Sequence, residues 1–142
     1  MKSKLFTLIA VSGLLAGLGV APLSAQLTMP LTANIPFEFM VGGKTLPAGE
    51  YIVSPETTKS VLRIRNDDTN EGALVLTNSA ETLNYSDQAK LIFHRYGNQY
   101  FLWEIWAPGA NVGYEVPKSK AEREASQTAS VRRENVTILA MR

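Results

Sequence analysis

The chain has 142 residues, of which 45% are hydrophobic, and it carries a net charge of +1 at pH 7. Proteins that bind nucleic acid displace counterions with a basic face, so this balance argues against a nucleic-acid partner. The sequence contains no cysteine, which excludes a disulfide framework and thiol chemistry and removes the usual ligands of a structural zinc site.

The N-terminal segment has the three-part pattern of a cleavable export signal. Two lysines precede an apolar run from Leu5 to Val20, and Pro22 separates this run from the small residue Ala25. The run of about 16 residues is short for a transmembrane helix, which needs about 20. We therefore predict a signal peptide over residues 1–25 and a single β-rich domain over residues 26–142, with no integral membrane segment after cleavage.

Export sets the expected compartment and the expected partners. Residues 1–25 contain two of the 14 basic residues and none of the 13 acidic ones, so the rest of the chain has a net charge of −1. Such a charge gives no electrostatic attraction to an anionic membrane surface. We expect a periplasmic or extracellular protein with either a protein partner or self-assembly.

The first half of the predicted domain contains short strands. Alternation of apolar and polar residues predicts strands over residues 33–41, 50–54, 61–65 and 73–77. In the first strand, Pro36 cannot donate a ladder hydrogen bond, which favours an edge strand or a start after the proline. In the fourth strand, Leu74 and Leu76 are expected to point inward, and the polar residues 78–88 that follow are interpreted as a connection.

The best-defined element is a hairpin over residues 90–107. Gly97 and Asn98 separate two aromatic-rich runs, and glycine in the first loop position favours a type II′ turn. The predicted register pairs His94 with Phe101, and farther from the turn it pairs Ile92 with Trp103. Both faces of this hairpin are largely apolar, which places it at the centre of the fold.

The C-terminal part combines a helix with two more strands. Ser119 and Glu122 have the spacing of a capping box, and residues 120–127 are good helix formers, so we predict a short exposed helix there. Strands are predicted near residues 112–116 and over residues 135–141. The fold class is therefore mainly β, an antiparallel sandwich or small barrel of about seven to eight strands with one short C-terminal helix.

Several segments together resemble a family of small exported proteins of unknown function, which we associate with acidobacterial genomes. The likeness covers most of residues 26–142 and implies a bacterial envelope or extracellular setting, but it implies no active site. The segments that carry it are Ile35–Phe39, Val41–Tyr51, Phe93–Gly97, Tyr100–Leu102, Pro117–Ser119 and Glu122–Glu124.

His94 is the only histidine and the main candidate for a general base. A base needs an orienting partner, and the predicted register places Glu104 on the opposite face of the hairpin. We therefore interpret His94 as structural. The acidic run Asp67–Glu71 lacks a glutamate at the twelfth position of a calcium loop and is interpreted as a turn. The sequence predicts no catalytic residue, no metal site and no cofactor.

Aromatic residues around the hairpin are the remaining functional signal. With His94, they give a candidate surface for a ligand or partner if they are exposed; packing in the core is the competing interpretation. Trp106, next to Pro108, is expected to be partly exposed. The residues of this candidate surface are His94, Tyr96, Tyr100, Trp103 and Trp106.

Three functions follow from these observations. The absence of a catalytic motif favours a non-catalytic exported envelope or secreted module for binding or assembly. The first alternative is a carrier of a small apolar or sugar ligand in an aromatic-lined β-barrel or cleft. The second alternative is a hydrolase that uses His94.

Overall fold

In the computed structural model of the protein, residues 30–58, 60–128, 130 and 132–142 are described. The predicted signal peptide lies outside these residues. Over these residues the fold is mainly β, as predicted, with two sheets and one short helix, α1 (Lys120–Gln127). The strands of the described residues are β1 (Leu31–Ile35), β2 (Phe39–Val41), β3 (Lys44–Leu46), β4 (Gly49–Pro55), β5 (Val61–Asn66), β6 (Gly72–Leu76), β7 (Asn78–Glu81), β8 (Ala89–Tyr96), β9 (Gln99–Trp106), β10 (Val112–Glu115) and β11 (Arg133–Ala140).

The two sheets form a sandwich that is linked along both flanks. The small sheet has the order β1-β4-β5-β6, and the large sheet has the order β11-β8-β9-β10-β7, with the β2–β3 hairpin attached to β9. On one flank, the backbones of Thr32 and Met141 exchange two hydrogen bonds of 2.7 and 2.8 Å. On the other flank, Thr77 alone separates β6 in the small sheet from β7 in the large one. The chain therefore changes sheet without a loop between these two strands.

The main core lies between the sheets. Alternate residues of each strand point inward, as the pleat of a half-buried strand requires. Tyr51 is fully buried there, and its hydroxyl donates a hydrogen bond of 2.6 Å to the carbonyl oxygen of Pro47. The other fully buried side chains of this layer include Ile35, Val53, Leu62, Ile64, Leu91, Phe93 and Ile105.

The predicted strand 33–41 is divided in two at Pro36. β1 pairs with β4 in the small sheet, whereas β2 pairs with β3 and β9 in the large sheet. Pro36 has no N–H and cannot continue a ladder, so the chain crosses between the sheets at this point. This division, together with the short strands β3, β7 and β10, explains why the described residues contain more strands than the seven or eight expected.

The predicted orientation of Leu74 and Leu76 is wrong. These side chains are 61% and 69% exposed, whereas Val75 between them is 4% exposed. Val75 lies directly across from the buried residue Leu62 of β5 and shares its inward face. Because side chains alternate with a period of two, this register turns both leucines outward.

The β8–β9 hairpin is confirmed, but its register changes away from the turn. Gly97 has φ +61° and Asn98 does not have a positive φ, as a type II′ turn requires. The predicted pairing holds up to Phe93, beyond which a bulge places Ile92 opposite Glu104. Trp103 is the extra residue of this bulge. Glu104 therefore shares a face with Ile92 and His94, contrary to the prediction.

Two further elements complete the large sheet. Residues 78–81, predicted as part of a connection, form β7 and pair with β10. The predicted strands near residues 112–116 and 135–141 are confirmed as β10 and β11. None of the helices in the described part of the chain is long and apolar enough to cross a membrane.

The observed orientation of β6 predicts a large loss of stability for one substitution and a small change for its neighbour. Val75→Ala should lower the free energy of unfolding by about 2 kcal/mol because it removes buried methyl groups. Leu76→Ala should change it by less than about 0.5 kcal/mol because that side chain is exposed. Urea denaturation of both variants measures the difference, and equal losses would contradict this orientation of β6.

Candidate functional site

A second buried layer lies on the face of the large sheet that points away from the small one. Phe93 belongs to the inter-sheet core. Because side chains alternate along a strand, His94 and Tyr96 of the same strand point to the opposite, outer face of the large sheet. Both are nevertheless buried, with exposed fractions of 1% and 5%. They meet Glu122 of α1 there, which places this short helix over the outer face.

The central contact of this layer joins His94 to Glu122. His94 Nδ1 lies 2.5 Å from Glu122 Oε1, and Glu122 is 2% exposed. The hydroxyl of Tyr96 donates a longer hydrogen bond of 3.4 Å to the same oxygen. One carboxylate oxygen therefore joins α1 to two residues of β8, 26 and 28 positions earlier in the chain.

The start of α1 explains why Glu122 reaches this position. Ser119 is the N-cap, as predicted, and its Oγ accepts a hydrogen bond of 3.1 Å from the backbone N–H of Glu122. In a capping box, the glutamate side chain would return to the backbone of the cap residue. Here the side chain of Glu122 points onto the sheet instead, so the predicted short exposed helix is present with one buried residue, Glu122.

His94 is enclosed on several sides. Its ring stacks on Trp103, with centroids 4.3 Å apart and an angle of 26° between the planes. Its Nε2 is buried and has no hydrogen-bond partner among the described residues. The ring is therefore held through Nδ1 by Glu122 and on one face by the indole of Trp103.

This arrangement limits the chemistry that His94 can perform. A general base must reach the proton that it removes, directly or through one water. With 1% of its surface exposed, His94 cannot meet a substrate unless α1 or Trp103 moves. Glu122 is a carboxylate that could orient the ring of a catalytic histidine. However, the second ring nitrogen of His94, Nε2, is buried and cannot reach a substrate.

The pKa of Tyr96 is raised by its burial beside Glu122. Burial raises the pKa of its hydroxyl above the ordinary value of 10.0, and the nearby charge of Glu122 raises this pKa further. Both causes oppose the formation of a phenolate, since the phenolate would be poorly solvated and would lie beside a carboxylate. Tyr96 therefore stays neutral and serves as a hydrogen-bond donor.

Of the remaining residues of the predicted aromatic surface, Trp106 is buried, whereas Tyr100 and Trp103 are half-buried. Trp106 is 5% exposed, so the expectation of partial exposure is wrong. Its Nε1 donates a hydrogen bond of 2.9 Å to Glu104, and a Cβ on Gly113 would lie only 2.7 Å from its indole. Tyr100 lies apart from the others and stacks on Phe37, with centroids 3.8 Å apart. The five predicted residues thus do not form one open platform.

The structure presents an open site elsewhere. A groove of about 490 Å³ runs along β6, and we call it the β6 groove. Leu74 and Leu76 give it an exposed apolar side. Sequence reasoning missed it because both leucines were predicted to point inward. Its lining residues are Gly42, Gly43, Leu74, Val75, Leu76, Val116, Pro117 and Ser119.

Comparison of the chain with known proteins gives no relative from which a function could be inferred. No protein-family model, no curated protein and no solved structure matches the chain. In the described ranges, no group of three or more His, Asp or Glu residues lies close enough together to hold a metal ion. The resemblance to small exported acidobacterial proteins stays an expectation from the sequence.

The buried contact between Glu122 and His94 predicts a large loss of stability when one partner is removed. Glu122→Ala should lower the free energy of unfolding by about 3 kcal/mol, because it leaves a buried imidazole without its partner. Glu124→Ala, on the exposed side of the same helix, should change it by less than about 0.5 kcal/mol.

A double-mutant cycle in urea isolates the pairwise contact. The loss for His94→Phe combined with Glu122→Leu should be smaller than the sum of the two single losses by at least about 1 kcal/mol. Additive losses would show that the two side chains do not interact.

The raised pKa of Tyr96 predicts how stability falls in alkali. In the unfolded chain this tyrosine ionises near pH 10, whereas in the folded chain it holds its proton to higher pH. The unfolded state therefore binds fewer protons above pH 10, and stability falls as pH rises. Tyr96→Phe should show a shallower fall between pH 9 and 11 in urea titrations. Tyr85→Phe, at an exposed tyrosine, is the matched control and should follow the parent protein.

Proposed function

We propose that this chain is an exported, non-catalytic module that binds a protein partner or assembles with itself through the β6 groove. The observation that carries the proposal is the exposure of Leu74 and Leu76 on an outer strand of the small sheet. Single exposed apolar residues are ordinary on protein surfaces. Two of them on one face of an edge strand, beside an open groove, are typical of an interaction site.

The groove supports a binding role because its sides come from both sheets. The turn at Gly42 and Gly43 joins β2 to β3 in the large sheet, while Val116 and Pro117 join β10 to α1. β6 itself belongs to the small sheet. A partner in the groove would therefore contact three separate segments of the fold at once.

The buried dyad supports the non-catalytic part of the proposal. The contact between Glu122 and His94 holds α1 on the sheet, and Trp103 covers the histidine ring from the other side. This is an arrangement for stabilising a helix over an aromatic layer. A hydrolase would need the same imidazole to face solvent or substrate.

A substitution that places a charge in the β6 groove tests the proposal. The protein recovered from its own host should carry the mass of a partner protein or of further copies of itself in native mass spectrometry. Leu76→Lys should remove that extra mass, because burying a lysine side chain in an apolar contact is costly. Leu83→Lys, at a leucine that is 92% exposed in the loop between β7 and β8, is the matched control and should leave the mass unchanged.

Three results would contradict the proposal. One is a monomer without added mass from the native host. Another is a monomer that carries only a small molecule, which would favour the carrier instead. The third is retention of the partner by Leu76→Lys, which would show that the interaction uses a different surface.

A further inference from the structure

We propose that the β6 groove takes an extended segment of a partner protein, which adds to β6 in the antiparallel direction and presents a carboxylate at Lys44. This inference rests on the proposed function, since it names the chemistry of the partner at the same surface.

The backbone of β6 has one side free at alternate residues. The N–H of Thr77 donates to Ser60 at 2.8 Å, and the N–H of Asn66 donates to Glu71 at 2.7 Å. In an antiparallel pair, the residues that bond the neighbouring strand alternate with residues that point away from it. Leu74 and Leu76 therefore direct their N–H and C=O groups away from β5. These groups can bond an added strand.

One end of this edge is marked by Lys44. Its Nζ donates a hydrogen bond of 2.8 Å to the carbonyl oxygen of Gly72, the first residue of β6. Because the Gly72 carbonyl is already bonded, an added strand can pair with β6 from Leu76 to Leu74, a distance of about 7 Å at about 3.3 Å per residue. A segment of about three residues fits this length, and its next residue lies at Lys44.

The charges at the Gly72 end of β6 are mixed, and Lys44 is the one that a partner can use. Arg65, across from Gly72, donates to Asn70 and lies 3.7 Å from Asp67, and Glu71 precedes Gly72. Lys44 is exposed and has no carboxylate within 4 Å among the described residues. A carboxylate of the partner is therefore favourable at the Lys44 ammonium itself.

The direction of pairing decides which end of the partner segment meets Lys44. Antiparallel pairing has the more stable ladder. A strand added antiparallel to β6 runs from Leu76 towards Gly72, so its C-terminal end reaches Lys44. The recognised group is therefore a carboxylate at that end, supplied either by the chain terminus or by an acidic side chain.

The turn between β2 and β3 lies against the Leu74 part of this edge. A Cβ on Gly42 would lie 3.6 Å from the carbonyl oxygen of Leu74, and one on Gly43 would meet nothing within 4 Å. Both glycines have positive φ, of 58° and 78°. The turn therefore presents backbone without side chains to the groove, and a side chain at Gly42 would crowd the Leu74 carbonyl.

The test uses synthetic peptides and the purified protein expressed from the full chain. The first probe is a hexapeptide of alternating valine and threonine with a free C-terminal carboxylate. The second is the same peptide with a C-terminal amide, and the third is an amidated version that ends in glutamate. Amide chemical shifts of the ¹⁵N-labelled protein measure both the affinity and the place of binding.

We expect the free-acid or the glutamate peptide to shift the amide signals of Leu74 and Leu76, with an affinity at least fivefold higher than that of the plain amide. Whichever of the two binds more tightly identifies the source of the carboxylate. Lys44→Gln should abolish this preference because it removes the charge at the end of β6. Lys90→Gln, at a lysine of β8, is the matched control and should keep the preference.

Equal binding of all three peptides, or an unchanged preference in Lys44→Gln, would overturn carboxylate recognition. Absence of binding up to 2 mM would overturn strand addition by a partner segment. If Leu76→Lys still removed a partner mass in native mass spectrometry, the proposed function would stand while this inference failed. A complex made only of further copies of the chain would assign the groove to self-assembly and would also overturn the inference.

Discussion

The contact between Glu122 and His94 holds together the outer half of the structure. Helix α1 has only eight residues, Glu122 is the one buried residue in it, and isolated helices of this length are not stable in water. Its position must therefore come from tertiary contacts, and the shortest of these is the bond from the carboxylate to the imidazole. Without it, the outer faces of β8 and β9 would expose His94 and Tyr96 to solvent.

This constraint also explains the composition of the central hairpin. A strand that is covered on both faces needs apolar or paired side chains on both. On the inner face, Leu91 and Phe93 meet the small sheet. On the outer face, Trp106 donates to Glu104 and His94 bonds the helix through Nδ1, while His94 Nε2 has no partner among the described residues. The hairpin is thus the layer that the inter-sheet core and the helix share.

Local features could be predicted from the sequence, and long-range ones could not. The turn at Gly97 and the N-cap at Ser119 depend on neighbouring residues, and both are confirmed. The bulge at Trp103 adds one residue to one strand, which the alternation of apolar residues does not reveal when both faces are apolar. The capping box offered Glu122 a local partner, but a buried histidine 28 residues earlier competes better, because a charge-assisted bond in a buried site is stronger. In β6, a run of five small and apolar residues left the inward face ambiguous.

The outer strands of the two sheets differ in how well their backbone edges are protected, and β6, beside the groove, is protected least. Natural proteins protect the outer strands of sheets with charges, prolines, bulges or covering segments, because free backbone groups invite other strands. β1 is joined to Met141 by two backbone hydrogen bonds, and β7 is a short polar strand. On β6, Lys44 covers only Gly72, and the two residues with free backbone groups beyond it carry leucines. An edge that is open in its backbone and apolar in its side chains has the two properties that strand addition requires, and the lysine at its end limits how far an added strand can extend.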